Sequence, residues 1–501
     1  MASAINIPKS HLIMGLCLPL AVLLGYLLAE PLDSATLGVV IFVLVILALP
    51  IMMKWHHPLL IFCWNVIIYP WFIPGCPGLW MIMSFVGLIF ALVNRSISPD
   101  NQFVYVPSIA KPLFFLLAVV LITAGLTGGF NIRAMGSEQR FGGKGYVFIL
   151  ASVAGFFALT SRRVPANRAP LYVAIFFLAG ITPIIGTIAE YLGPKAYLIQ
   201  SLFSLEPPTL PFDTPAMMEA FLTHFGGLNF LGIALASFLL ARYGVRALLN
   251  PSRPWRLLLL LAAAVGMLGS GYRGSIMWFV LTLGVMFCLE GLHRTALLPL
   301  ALGLLLAVGL GLIPFSNKLP HSMQRTLSFL PFEVDPVVKE SAVSSNEWRL
   351  EIWRIMFPQV PKYLIKGKGY SLDPSELYMA SFDSTYSVAL IAQNYHNGFL
   401  SIIIPFGIFG VIGLVWFLVA CLRYLNHQYR FGNPAHQKIN NVLFALFIVK
   451  VITFIGIFGH FYADLPVFVG LIGLSISLNG PLEQQAEEKL APEILGEELA
   501  S

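Results

Sequence analysis

Long apolar runs separated by short polar stretches repeat along almost the whole chain, from His11 to Asn479. A bilayer core of about 30 Å needs roughly 20 apolar residues in a helix, and about 17 suffice. The pattern predicts helices near 11–29, 36–53, 58–74, 78–94, 111–129, 145–161, 170–190, 225–242, 255–270, 274–291, 295–314, 397–423, 441–459 and 464–479. That is about fourteen, or about twelve if 58–94, which Pro70 interrupts, is a re-entrant pair. The fold class is all-α, a polytopic membrane protein. Its expected parts are a bundle over 1–314, a loop domain of about 80 residues over 315–396, closing helices over 397–480 and an acidic tail over 481–501.

Composition removes the alternatives. Of 501 residues, 57% are hydrophobic and 11% charged, with mean hydropathy +0.81, so a soluble chain would lack the charge to cover its surface. The net charge of +6 comes from basic residues scattered through short loops, which is not a nucleic-acid footprint. Cys17, Cys63, Cys288 and Cys421 lie in or beside apolar runs and only Cys76 reads as external, so neither a disulfide framework nor a metal cluster is expected. The first run follows Lys9 and has no small-residue cleavage site before Glu30, which reads as a retained helix.

Alternating sides along the spans puts Lys54, Arg95, Arg162, Arg163, Arg168, Arg242, Arg246, Arg253, Arg256, Arg294, Arg423, Arg430 and Lys438 in one set of loops, which the positive-inside rule makes cytoplasmic. Both termini then lie inside. The opposite loops are poor in cations except at Arg133, Arg140, Lys144 and Arg273. Topology does not require these exceptions, so an external anion is the better explanation for Arg273 in Gly271-Tyr272-Arg273-Gly274-Ser275.

The long external segment adds more. Ser344-Ser345-Asn346-Glu347 reads as a capping box opening a helix that Pro358 stops. Trp348, Ile352, Ile355 and Met356 share one face of it, with Arg349 at the edge. Arginine forks suit a diphosphate, and glycines around Lys144 in Arg140-Phe141-Gly142-Gly143-Lys144-Gly145 would let backbone N–H groups approach one. His396, in Asn394-Tyr395-His396-Asn397-Gly398, opens a helix and is a candidate general base. Each has a bland alternative: lipid phosphate for Arg273, Glu351 or Glu347 for Arg349, an interfacial hydrogen bond for His396. His460 and Asp464 read as an interfacial pair, His56 and His57 as an interface on the inner side, and Lys450 has no partner suggested by spacing.

With these motifs the chain resembles the O-antigen ligase and polymerase family. The resemblance rests on Gly271 to Ser275, on Arg349 to Trp353 followed by Pro361 and Gly367-Lys368-Gly369-Tyr370, and on Tyr395-His396-Asn397-Gly398-Phe399-Leu400 leading to Pro405-Phe406-Gly407-Ile408-Phe409-Gly410. Tyr272 stands where the family usually has Ser. The resemblance implies a GT-C-like bacterial inner-membrane enzyme that inverts at the sugar, needs no metal or other cofactor, and works on the periplasmic face. Its donor would be an undecaprenyl-diphosphate-linked glycan and its acceptor a glycolipid, glycan or protein. Arg273 and Arg349 would hold the diphosphate, His396 would be the base, and Arg140, Lys144, Tyr395 and Asn397 would complete the binding surface. The rivals are a polymerase of the same family, a lipid-linked glycan flippase, and a metal-dependent transferase using Glu30 and Asp33.

Overall fold

The computed structural model describes residues 9–28, 34–70, 73, 76–97, 103–128, 143–203, 224–330, 333–372, 378 and 393–481. Among them every regular element is helical. Nine helical stretches there are long and apolar enough to cross a bilayer, and three shorter apolar helices, Lys144–Leu159, Trp255–Gly269 and Arg273–Leu289, pack among them. The Leu297–Leu312 helix has no buried residue, although its sequence is almost entirely aliphatic. A helix apolar on every side and covered by none of the other described residues belongs in hydrocarbon. The chain is an all-α, multi-pass membrane protein.

The bundle is built on close approaches. Leu400–Phe431 runs along Pro107–Thr127, and Lys144–Leu159 lies between Leu79–Ile97 and Phe461–Asn479. A Cβ at Gly155 would come 2.5 Å from the Trp64 ring and one at Gly470 would come 2.1 Å from its Nε1, so two glycines make the slot that the indole fills. Small residues serve this purpose in membranes, where packing replaces the hydrophobic drive between helices.

Three expectations are corrected. The separate helix over 58–74 is absent: Ser34–Cys63 is one continuous helix, after which the chain leaves the helical path. The backbone amide of Ile67 donates to Thr182 Oγ1 (3.0 Å) and that of Tyr69 to the Leu202 carbonyl (2.8 Å), while the Asn65 side-chain Nδ2 donates to the Phe176 carbonyl (2.8 Å). Non-helical backbone is tolerated where protein groups satisfy it in this way. The helix over 170–190 is interrupted: Ala169–Leu178 passes through a 3₁₀ turn, Ala179–Ile181, before Pro183–Leu192, because Pro183 cannot donate to the preceding turn. The capping box at Ser344 does not start its helix. That helix is Pro336–Met356, and Asp335 Oδ1 accepts from the Val337 amide (2.9 Å) with Pro336 in the first turn, so an Asp cap followed by proline sets the start upstream.

The Leu400–Phe431 helix is itself broken at Gly407, which has φ +62°. Pro405 and Gly407 release backbone groups there, and the segment Leu364–Gly369 takes them up. The Lys368 amide donates to the Ile404 carbonyl (2.9 Å), the Gly369 amide to the Pro405 carbonyl (2.8 Å), and the Ile408 amide to the Leu364 carbonyl (2.7 Å). Gly367 and Gly369 both have positive φ, and a Cβ on Gly369 would lie 2.1 Å from Thr127 Oγ1. The Tyr370 amide then donates to the Tyr146 hydroxyl oxygen (2.9 Å).

Candidate active site

Arg273 is the first residue of the Arg273–Leu289 helix, set by a turn that the sequence specifies closely. Ser270 Oγ donates to the Met267 carbonyl (2.7 Å) and accepts from the Tyr272 amide (3.3 Å), while Gly271 takes φ +79°. From there the guanidinium reaches the Pro336–Met356 helix, donating from Nη2 to the Ala342 carbonyl and to Asn346 Oδ1, both at 3.3 Å. Ala342, Asn346 and Arg349 follow one another at spacings of four and three, so Arg273 lies along the stripe that carries Arg349.

The same helix holds the loop of His396. Ile352 and Met356 are fully buried against Tyr395, Leu400, Ile403 and Ile404, and Trp348 packs on the rim of that cluster. Trp353 Nε1 donates to the Tyr395 carbonyl (2.9 Å), and the Trp348 and His396 rings meet edge to face with centroids 5.1 Å apart. His396 has φ +47°, an unusual conformation for a residue with a Cβ, and the Asn394 side chain steadies it by accepting from the His396 amide (3.2 Å). One helix therefore brings Arg273, Arg349 and His396 into one neighbourhood.

Electrostatics reflects this grouping. Burial first, and the Arg273 charge second, lower the pKa of Arg349 from its ordinary value. Burial and then the Arg349 charge bring His396 down to about 4, so its imidazole is neutral at ordinary pH. Arg349 Nε is shielded from solvent and meets no hydrogen-bond partner among the described residues. Glu351 is taken by Arg354 (2.8 Å), which removes one of the two local partners, Glu351 and Glu347, that would have explained Arg349.

A second set of groups adjoins His396. Gly398 and Gly459 are in close contact, since a Cβ on Gly459 would come 2.6 Å from the Gly398 Cα. Ser401 Oγ donates to the Gly398 carbonyl (2.8 Å) and accepts from the Phe461 amide (3.0 Å). His460 is brought to about 4 by burial, a shift that the Asp464 charge opposes and the His396 charge reinforces. Asp464 accepts from the His460 amide (2.9 Å) through Oδ2 and pairs with Lys450 through Oδ1. Lys450 therefore has a carboxylate partner, and His460 with Asp464 belongs to the site's wall.

The remaining candidates are placed differently. Tyr395 is 1% exposed, with its ring in the apolar cluster. Asn397 Oδ1 accepts from the Leu400 amide (3.1 Å), so it caps the helix that follows. Lys144 opens the Lys144–Leu159 helix, and Gly145 leaves room for the Tyr370 ring, 2.5 Å from where its Cβ would be. Arg140, Arg133, Glu30 and Asp33 lie outside the described residues. Arg325 was missed. It sits on His321–Leu327, donates to the Gly271 carbonyl (3.2 Å) and pairs with His224, whose ring meets Tyr272. The signal was available, because Arg325 is one more cation in the long external segment.

Residues 257–415 match the family model described as O-Antigen ligase. Over this stretch the chain is similar to the O-antigen ligase family. The stretch contains Arg273, Arg325, Arg349 and His396, together with the Gly367–Tyr370 and Pro405–Gly410 motifs. No curated protein matches the chain. The residues of the second set, Lys450, His460 and Asp464, lie beyond the matched stretch.

Proposed function

We propose that the chain transfers a glycan from undecaprenyl diphosphate to an acceptor hydroxyl on the periplasmic face of the bacterial inner membrane, with inversion at the anomeric carbon and without a metal. Ligation to a glycolipid and polymerisation share this chemistry and differ in the acceptor. Arg273 and Arg349 hold the diphosphate, and His396 accepts the proton of the attacking hydroxyl. As the new C–O bond forms, the bond from the anomeric carbon to the diphosphate oxygen breaks, and the lipid diphosphate leaves as an anion. Stabilising that growing charge is the main demand, and fixed guanidinium groups meet it without reorganising. The observation that carries the reading is the Pro336–Met356 helix, which meets Arg273, bears Arg349 and packs Trp348 on His396 within the stretch similar to the O-antigen ligase family.

The test is transfer in vitro from lipid-diphosphate glycan, comparing the native chain with Arg273→Ala, Arg349→Ala and His396→Ala. Each is expected to lose at least about a hundredfold in kcat/KM, and Arg273→Lys to recover part of it because a point charge replaces a fork. Full transfer by all three alanine variants refutes the site. Movement of glycolipid between leaflets without a new glycosidic bond would instead identify a flippase.

A further inference from the structure

The end of the bundle away from His396 contains a cavity of about 740 Å³. The Phe461–Asn479 helix begins beside His460 and ends in the cavity wall, which at 1.5 Å per residue puts the two sites roughly 27 Å apart. The wall consists of Arg163–Ala166, Arg430–Pro434, His436 and Leu478–Asn479, and no carboxylate side chain lines it among the described residues. His436 is 4% exposed, and neither of its ring nitrogens meets a hydrogen-bond partner among the described residues. A buried imidazole with both nitrogens idle, facing a cavity flanked by two arginines, is a polar group awaiting a ligand. Behind it the wall is well satisfied: Asn440 and Asn479 exchange amide hydrogen bonds (3.3 and 2.9 Å) and Tyr424 donates to the Gly480 carbonyl (2.7 Å).

We infer that this cavity binds a phosphate-bearing headgroup. Arg163 and Arg430 hold the phosphate oxygens, His436 supplies a donor and an acceptor, and Val164, Phe431 and Pro434 meet the less polar part of the ligand. The cavity is much larger than a bare phosphate, and it opens at the cation-rich ends of the helices, where an anionic phospholipid of the adjoining leaflet presents this chemistry. A soluble phosphate ester presents it too. The inference is independent of the transfer reaction at the other end.

Thermal melting of the purified full-length chain in neutral detergent tests it, using dihexanoyl phosphatidylglycerol, dihexanoyl phosphatidylcholine and inorganic phosphate as probes. The anionic lipid is expected to raise Tm saturably and the zwitterionic lipid to do so little or not at all. Arg163→Gln and Arg430→Gln should each raise the half-saturating lipid concentration at least about tenfold, the usual scale of a charge-assisted phosphate contact. His436→Gln should weaken binding as well, and each variant's Tm without ligand reports on its folding. Inorganic phosphate acting as strongly as the lipid would make the ligand a soluble phosphate and support the site. Equal shifts in native and arginine variants, or with both lipids, overturn it; so does no response from the native chain.

Discussion

The depressed pKa of His396 makes a kinetic prediction that an ordinary surface histidine would not. Burial and the Arg349 charge hold its pKa at about 4, against the usual 6.5. At pH 5.5 an unperturbed imidazole is about 9% neutral, whereas one at 4 is about 97% neutral, roughly a tenfold difference in competent base. The acid limb of kcat/KM, which reports the free enzyme, should therefore fall near pH 4. Bound diphosphate brings negative charge beside Arg349 and His396, so the limb of kcat should lie at higher pH than that of kcat/KM. The assay is initial-rate transfer from pH 3.5 to 8; a diphosphate diester stays ionised throughout most of this range. His460 also titrates at about 4 and feels the His396 charge, so the limb belongs to the pair until His460→Asn separates them. Arg349→Gln removes the second cause and leaves burial, and should move the limb of its residual activity upward while keeping it below 6.5. A kcat/KM limb at 6.5 in the native chain, or one that Arg349→Gln leaves in place, refutes the reasoning.

Three further outcomes follow from the geometry. Folded His396 and His460 resist protonation while the unfolded chain takes protons near 6.5, so the stability they contribute is present above that pH and lost as pH falls toward 4, which Tm measured across this window will register. Asp464→Asn leaves Lys450, whose side chain is 18% exposed, without its carboxylate; about 3 kcal/mol of destabilisation is expected, and Lys450→Met with Asp464→Leu should recover most of it in a double-mutant melting experiment. Asp335→Ala removes the cap of the Pro336–Met356 helix and should cost about 1 kcal/mol, seen as a lowered Tm.

Much of the candidate site's geometry was legible along the chain because its residues sit at boundaries. Arg273 stands where a Ser-Gly turn separates two apolar runs, and the structure makes it a first helical residue, one position from the boundary expected. The apolar stripe from Trp348 to Met356 is a local periodicity and packs as such. What escaped depends on contacts between elements. Lys450 and Asp464 lie on successive helices and meet across the turn between them, which no helical spacing encodes. The stretch from Val66 to Tyr69 is apolar enough for a helix, and only partners more than a hundred residues away show why it is not one. The capping box at Ser344 was a sound local signal outcompeted by Asp335-Pro336, a stronger one whose cap lies nine residues upstream.

The clasp between Gly367–Tyr370 and the helix break at Pro405–Gly407 also limits how such proteins can diverge. Each half completes the other's main-chain bonding, so neither can drift alone without exposing bare amides or carbonyls to lipid. A chimera that imports only the stretch before Tyr395 from a similar protein would have to match its host's proline-glycine bend as well. The Pro336–Met356 helix takes part in none of these bonds and can change without disturbing the clasp.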